Sequence, residues 1–140
     1  METTKLLIGT IVGAITIFLL GWLVYGMLLM DFMASNAGTA VDVNKAEPEL
    51  LHLFIGNLFT GLLYTIILGN WAKASSVAEG FKVGLIVGLL TAAGLDFVMY
   101  ATTNMMTMTA AAADIVAWGL ISGIACAVIT MTISRGAKAA

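Results

Sequence analysis

The chain has 140 residues, of which 61% are hydrophobic and only 10% charged, with a mean hydropathy of +1.04 and a formal net charge of −2. A soluble domain carries about 25% charged residues. The composition therefore excludes an ordinary soluble domain and predicts an integral membrane protein. No basic cluster indicates nucleic acid as a partner. Cys126 is the only cysteine, which excludes a disulfide within the chain.

Four apolar segments predict four transmembrane helices, each near the length of ~20 residues that a bilayer core requires. The first, at about residues 6–30, is longer than the apolar core of a signal peptide and is predicted to be a retained helix. The second, at about 49–71, begins beside Pro48, a residue that suits a first helical turn. The polar segment 31–48 between them is predicted to be an outer loop.

The third helix is predicted at about 77–103 and the fourth at about 110–134. Ser76 and Glu79 have the spacing of a capping box, which satisfies amide groups at a helix start. The connections before the third and fourth helices are short, so the second, third and fourth helices are predicted to be consecutive antiparallel neighbours. The expected fold is an all-α, four-transmembrane-helix bundle that forms a single domain over residues 1–140.

The basic residues predict the orientation of this bundle. Positive charge favours the cytoplasmic side of a membrane. The side predicted to hold the 31–48 loop carries only Lys45. Both termini are therefore predicted to be cytoplasmic. The basic residues on their side are Lys5, Lys73, Lys82, Arg135 and Lys138.

Glycines recur four residues apart in the first, third and fourth predicted helices. In lipid, close backbone approach and dispersion bring helices together, and small residues at this spacing permit that approach. The pattern predicts tight helix contacts, either within the bundle or with a second copy or another membrane protein. The predicted packing glycines are Gly9, Gly13, Gly80, Gly84, Gly88, Gly119 and Gly123.

Asp96 continues the glycine ridge of the third helix and lies deep in the predicted membrane span. A carboxylate in hydrocarbon is costly, so such acids usually face the bundle interior and have a partner. In one hypothesis Asp96 binds a proton or cation and exchanges it with the outer surface through His52. In another, a neutral Asp96 holds the second and third helices together by donating to Asn57 or to a backbone carbonyl, and in a third it binds a lipid or small molecule. Depth along the helices predicts a polar cluster of Asp96, Asn57, His52 and Tyr100, closed by Ser122 or Trp118.

Methionines gather at the predicted outer side. Thioethers are soft ligands that suit Cu(I), although methionine is also a common filler of gaps in packing. The sequence leaves both alternatives open. The candidate copper ligands are Met27, Met30, Met33, Met105, Met106 and Met108, with His52.

The segments "EGFKVGLIVGLLTAAGLDFVMYATTN" and "DIVAWGLISGIACAVI" together resemble small four-span bacterial membrane proteins that are grouped as domains of unknown function. In that group a glycine-rich third span ends in an aspartate–aromatic–threonine/asparagine region, and an Asp-x-x-Trp-Gly pattern opens the fourth. The resemblance covers residues 79–134 and implies a four-helix protein of the bacterial inner membrane, without an assigned activity. The first pattern is matched by Asp96, Tyr100, Thr102, Thr103 and Asn104. The second is matched by Asp114, Trp118 and Gly119, with one extra residue between Asp and Trp.

No catalytic residues, no phosphate-binding loop and no cofactor are predicted. The leading hypothesis is a small non-catalytic membrane protein that acts through helix packing, as an accessory subunit of a larger complex or as a homo-oligomer surrounded by lipid. The alternative is a transporter, channel or ligand-binding protein that uses Asp96, or a protein with an outer-face Cu(I) site.

Overall fold

The computed structural model describes residues 1–135, so Lys138 lies outside the described residues. The prediction of an all-α protein with four long apolar helices is confirmed, because four helical segments of the described chain are long and apolar enough to cross a membrane. The helices are α1 (Thr3–Leu23), α2 (Met30–Ser35), α3 (Leu50–Ile66), α4 (Val77–Thr102) and α5 (Met108–Arg135). A π-helical turn extends α1 over Val24–Leu28, and another extends α3 over Ile67–Trp71.

The start of α4 is fixed by the capping box that the sequence predicts. The Ser76 hydroxyl accepts a hydrogen bond from the backbone N–H of Glu79 at 3.2 Å. The Glu79 carboxylate accepts one in return from the backbone N–H of Ser76 at 3.3 Å. Two amide groups that the helix leaves free are satisfied in this way, and the prediction is confirmed.

The four long helices are arranged in the order α3–α1–α5–α4, and α5 is the most buried of them. The second and third predicted helices, α3 and α4, are adjacent in sequence but are not packed along their lengths, contrary to the prediction. The physical reason is the position of the small residues. Gly61 fits α3 against α1 so closely that a Cβ at this position would lie 2.6 Å from the Thr10 carbonyl oxygen. The short connection after α3 constrains only the helix ends.

The α4–α5 interface is an antiparallel ladder. Each four-residue step along α4 meets a four-residue step in the opposite direction along α5, and the glycines of α4 admit the backbone of α5. A Cβ at Gly88, for example, would lie 2.5 Å from the Ser122 hydroxyl oxygen and 3.0 Å from the Trp118 carbonyl oxygen. The ladder contacts are Gly80 with Thr130, Gly84 with Cys126, and Gly88 with Ser122.

The other predicted packing glycines also contact helices of the same chain. A Cβ at Gly119 would lie 2.6 Å from the Leu89 side chain, and a Cβ at Gly123 would lie 2.9 Å from the ring of Phe81. All seven glycines are therefore in contact within the bundle, and a contact with a second copy stays a prediction. The remaining contacts are Gly9 with Thr65 and Ile133, and Gly13 with Ile129 and Gly61.

The segment predicted as an outer loop, 31–48, contains most of α2 and then crosses to the α4–α5 connection. The backbone N–H of Gly38 donates to the Met105 carbonyl at 3.1 Å, and that of Ala40 donates to the Asn104 carbonyl at 3.0 Å. We call residues 36–40 with 104–107 the interloop clip, and the end of the bundle that carries it the α2 end. The clip ties the segment after α2 to the connection between α4 and α5.

Candidate functional site: a carboxyl pair between α4 and α5

Two carboxyl groups meet where the ladder approaches the α2 end. Asp96 on α4 and Asp114 on α5 lie within hydrogen-bonding reach of each other. Asp96 is six residues before Thr102 and Asp114 six residues after Met108, the two helix ends at this side. The pair therefore lies about 9 Å below the helix ends, by the rise of an α-helix.

Asp96 is buried, with only 7% of its surface exposed. Its Oδ2 atom is buried and has no hydrogen-bond partner among the described residues. A buried polar atom without a partner costs about 1–3 kcal/mol, and more if it is charged. Such an atom in a native protein calls for a bound proton, ion or water that satisfies it.

A third helix reaches the pair through Tyr25. This residue lies in the π-helical turn that extends α1, and its hydroxyl is within hydrogen-bonding reach of the Asp114 carboxyl group. A π-helical turn inserts one residue into the helical register, and such turns are frequent at functional sites. The Tyr25 hydroxyl therefore brings a third polar group, from α1, to the carboxyl pair.

A second polar cluster lies deeper in the bundle on the same face of α5. The hydroxyl groups of Tyr64 and Ser122 are 2.7 Å apart and share a hydrogen bond. The indole N–H of Trp118 is within hydrogen-bonding reach of Tyr64. Trp118 and Ser122 follow Asp114 by one and two helical turns, so the predicted cluster members on α5 do lie on the ridge that carries the carboxyl pair.

The structure does not bring the remaining predicted cluster members to Asp96. His52 is exposed at the start of α3, where its Nδ1 atom lies 2.7 Å from a Glu49 carboxylate oxygen. Tyr100 is 42% exposed on α4. Asn57 lies on α3, beside a cavity next to α1. Since α3 packs on α1 and not on α4, the expected pairing of Asp96 with residues of α3 is replaced by pairing with α5.

That cavity has a volume of about 520 Å³, and neither Asp96 nor Asp114 is among its lining residues. Its walls are mostly apolar, and Asn57 contributes a side-chain amide. Two of its lining residues, Tyr25 and Trp118, also contact the polar groups described above. We call it the aromatic cavity, after Phe18, Trp22, Tyr25 and Trp118.

The methionines at the α2 end are spread over α1, α2 and the interloop clip. Met106 forms a backbone bridge to Ala37 in the clip. Within the described residues, no group of three or more His, Cys, Asp and Glu side chains is arranged to hold a metal ion. The Cu(I) site stays a prediction. Of its candidate ligands, the clearly exposed methionines are Met27, Met30, Met105 and Met108.

The protein is all-helical over its described residues, and four of its helical segments can cross a membrane, which indicates a multi-pass membrane protein. A carboxyl pair lies between two of those helices. Comparisons with protein-family models, with curated proteins and with solved structures found no match.

Proposed function

We propose that this protein is a multi-pass membrane protein that binds an exchangeable proton, or a small cation in its place, at the Asp96–Asp114 pair. The observation that carries the proposal is the contact of two carboxyl groups inside an apolar bundle. Two ionised carboxylates at this distance repel each other strongly in a medium of low dielectric constant. The pair is therefore stable when it shares one proton or holds one cation.

The surroundings give the two acids different roles. Tyr25 reaches Asp114 from α1 and offers a hydroxyl group, which can donate or accept a hydrogen bond. Asp96 is the more buried acid, and its Oδ2 atom has no hydrogen-bond partner among the described residues. In the proposed resting state Asp96 is a neutral carboxylic acid that donates to the Asp114 carboxylate. Two carboxyl groups in such different surroundings are typical of acid–base pairs.

A purely structural contact needs only one aspartate and one asparagine, because that pair forms a comparable hydrogen bond without a shared proton. The hypothesis of an accessory subunit or homo-oligomer rests on the glycine pattern. The contacts of these glycines lie within the chain, so the carboxyl pair is the better-supported basis for a function.

The orientation belongs to the same proposal. Both termini face the cytoplasm, as the basic residues favour, and the α2 end faces outward. The resemblance of residues 79–134 adds the bacterial inner membrane. The pair then exchanges its proton with the outer side, about 9 Å below the helix ends. Such a site fits an ion-coupled transporter or a proton-dependent binding protein.

Infrared difference spectroscopy of the purified protein, titrated from acid to alkaline pH, tests the proposal. The wild type is expected to show the carbonyl band of one protonated, buried carboxyl group. Asp96→Asn and Asp114→Asn should each remove that band, because the asparagine amide replaces the proton as donor to the remaining carboxylate. Asp31→Asn, an exposed acid on α2, is the control and should leave the band unchanged.

A band that survives in both single variants would show that the pair holds no exchangeable proton, and the proposal would fail. If the band is absent in sodium or potassium buffer and appears when these ions are removed, a cation occupies the site. Unchanged thermal stability in the two asparagine variants shows that the loss of the band does not come from unfolding.

A further inference from the structure

The aromatic cavity has a composition that differs from an ordinary lipid-facing groove. Phe18, Trp22 and Tyr25 are spaced by four and three residues, so their rings lie on one face of α1. Trp118 enters from α5. The volume of about 520 Å³ is in the range that takes a drug-sized ligand.

Two of these aromatic residues link the cavity to the carboxyl pair. Tyr25 contacts Asp114 through its hydroxyl, and Trp118 follows Asp114 by one turn of α5. Among the described residues, no lysine, arginine or histidine lines the cavity. The cavity therefore combines ring faces, which attract cations, with an acidic pair that lies behind one lining side chain, Tyr25, and with no basic residue among its lining residues.

The cavity is open to a ligand that arrives through the apolar surface. Trp22, at its rim, is 62% exposed, and it lies on α1 within the span that can cross a membrane. A metal ion would leave its hydration shell for ring faces and one amide, a poor exchange for a hard cation. A lipid chain would gain nothing from the charge of the pair.

We propose that the aromatic cavity binds a lipophilic organic cation, such as a quaternary phosphonium or ammonium ion with aromatic substituents, in exchange for the proton of the Asp96–Asp114 pair. The proposal rests on the proposed function, because the pair supplies the charge. When the cation enters, the O–H bond of Asp96 breaks and its proton passes to water. Asp96 keeps the electron pair as a carboxylate, and the net charge of the loaded site is unchanged.

Calorimetry with tetraphenylphosphonium and the full chain in mild detergent tests the proposal. Saturable binding is expected, with about one proton released per probe bound, measured by a pH indicator in weak buffer. Trp22→Leu should weaken binding about tenfold, which is the loss of one desolvated cation–π contact. Trp71→Leu is the matched control, since Trp71, in the π-helical turn that extends α3, is also highly exposed but does not line the cavity.

Failure of this proposal is distinguishable from failure of the proposed function. If the infrared band behaves as expected but the probe does not bind, or binds Trp22→Leu as tightly as the wild type, the cavity proposal is overturned and the proton site stands. Binding without proton release, or equal binding of an uncharged aromatic compound of similar size, also overturns it. The Asp96→Asn/Asp114→Asn double variant, which carries no charge at the pair, should bind the probe at least tenfold more weakly.

Discussion

Gly84→Ala should separate α4 from α5, because the ladder leaves no room for a side chain at this position. A Cβ built on Gly84 would lie 2.5 Å from the Cβ of Cys126 and would also collide with the carbonyl oxygen of Ser122. Carbon atoms in contact are about 3.5–4.0 Å apart. The two helices must therefore move apart by about 1 Å, and neither neighbouring atom lies at the end of a flexible side chain.

The expected cost is about 1–3 kcal/mol in the free energy of unfolding, the usual range for an overpacked core. Alanine also has a higher helix propensity than glycine, by about 1 kcal/mol, which offsets part of this cost. Gly94→Ala measures that offset alone. It lies on the same helix, and no atom outside its own helical backbone lies within 4 Å of a Cβ at this position.

Both variants should be compared with the wild type by reversible unfolding in mixed micelles, with helicity as the signal. Gly94→Ala is expected to be as stable as the wild type or slightly more stable, and Gly84→Ala to fall below Gly94→Ala by the full 1–3 kcal/mol. Equal stabilities of the two variants would mean that the α4–α5 backbone approach described above does not exist.

Three further predictions concern groups around the site. Tyr64→Phe removes the hydrogen bond to Ser122 and should lower the free energy of unfolding by about 1 kcal/mol. Tyr100→Phe, at an exposed position, should change that free energy by less than half as much. Equal effects of the two substitutions would argue against the buried hydrogen bond. Gly38→Ala places a Cβ against the Asn104 carbonyl, so hydrogen exchange at the amides of the interloop clip should accelerate. Unchanged protection of these amides would contradict the hydrogen bonds of the clip. His52→Gln should leave the infrared carboxyl band intact because His52 contacts Glu49 and not the pair; loss of the band would instead support the proton relay through His52, one of the three hypotheses for Asp96.

The helices could be predicted from sequence because their signal is local. An apolar run of ~20 residues with a polar boundary specifies a span without reference to its neighbours. The choice of neighbours is not local. Gly56 and Gly61 both lie on α3, yet a Cβ at Gly56 would meet nothing within 4 Å, whereas Gly61 lies against α1. Which of the two glycines packs against another helix depends on the shape of that helix, and a short connection between helices does not supply that information.

The carboxyl pair could have been found from the sequence by extending the ladder. Once Gly88 is placed against Ser122, two further steps of four bring Asp96 to the level of Asp114. Depth measured from the centre of each predicted helix does not include this pairing of residues, so it places Asp96 beside Asn57. The approach of Tyr25 could not be predicted, because it depends on the extra residue of a π-helical turn, for which the sequence VYGML gives no distinct signal.

In the proposed function, the contact of α4 through Asp96 depends on a proton and lies between two contacts that do not titrate. Toward the termini, α4 is held by glycine packing, whose strength does not change with protonation. Toward the α2 end, it is held by backbone hydrogen bonds of the clip. Loss of the shared proton turns an attraction between Asp96 and Asp114 into a repulsion. Because the flanking contacts persist, the two carboxylates cannot separate freely. In the proposed function, the pair instead takes up another positive charge, which couples the binding of that charge to the loss of the proton.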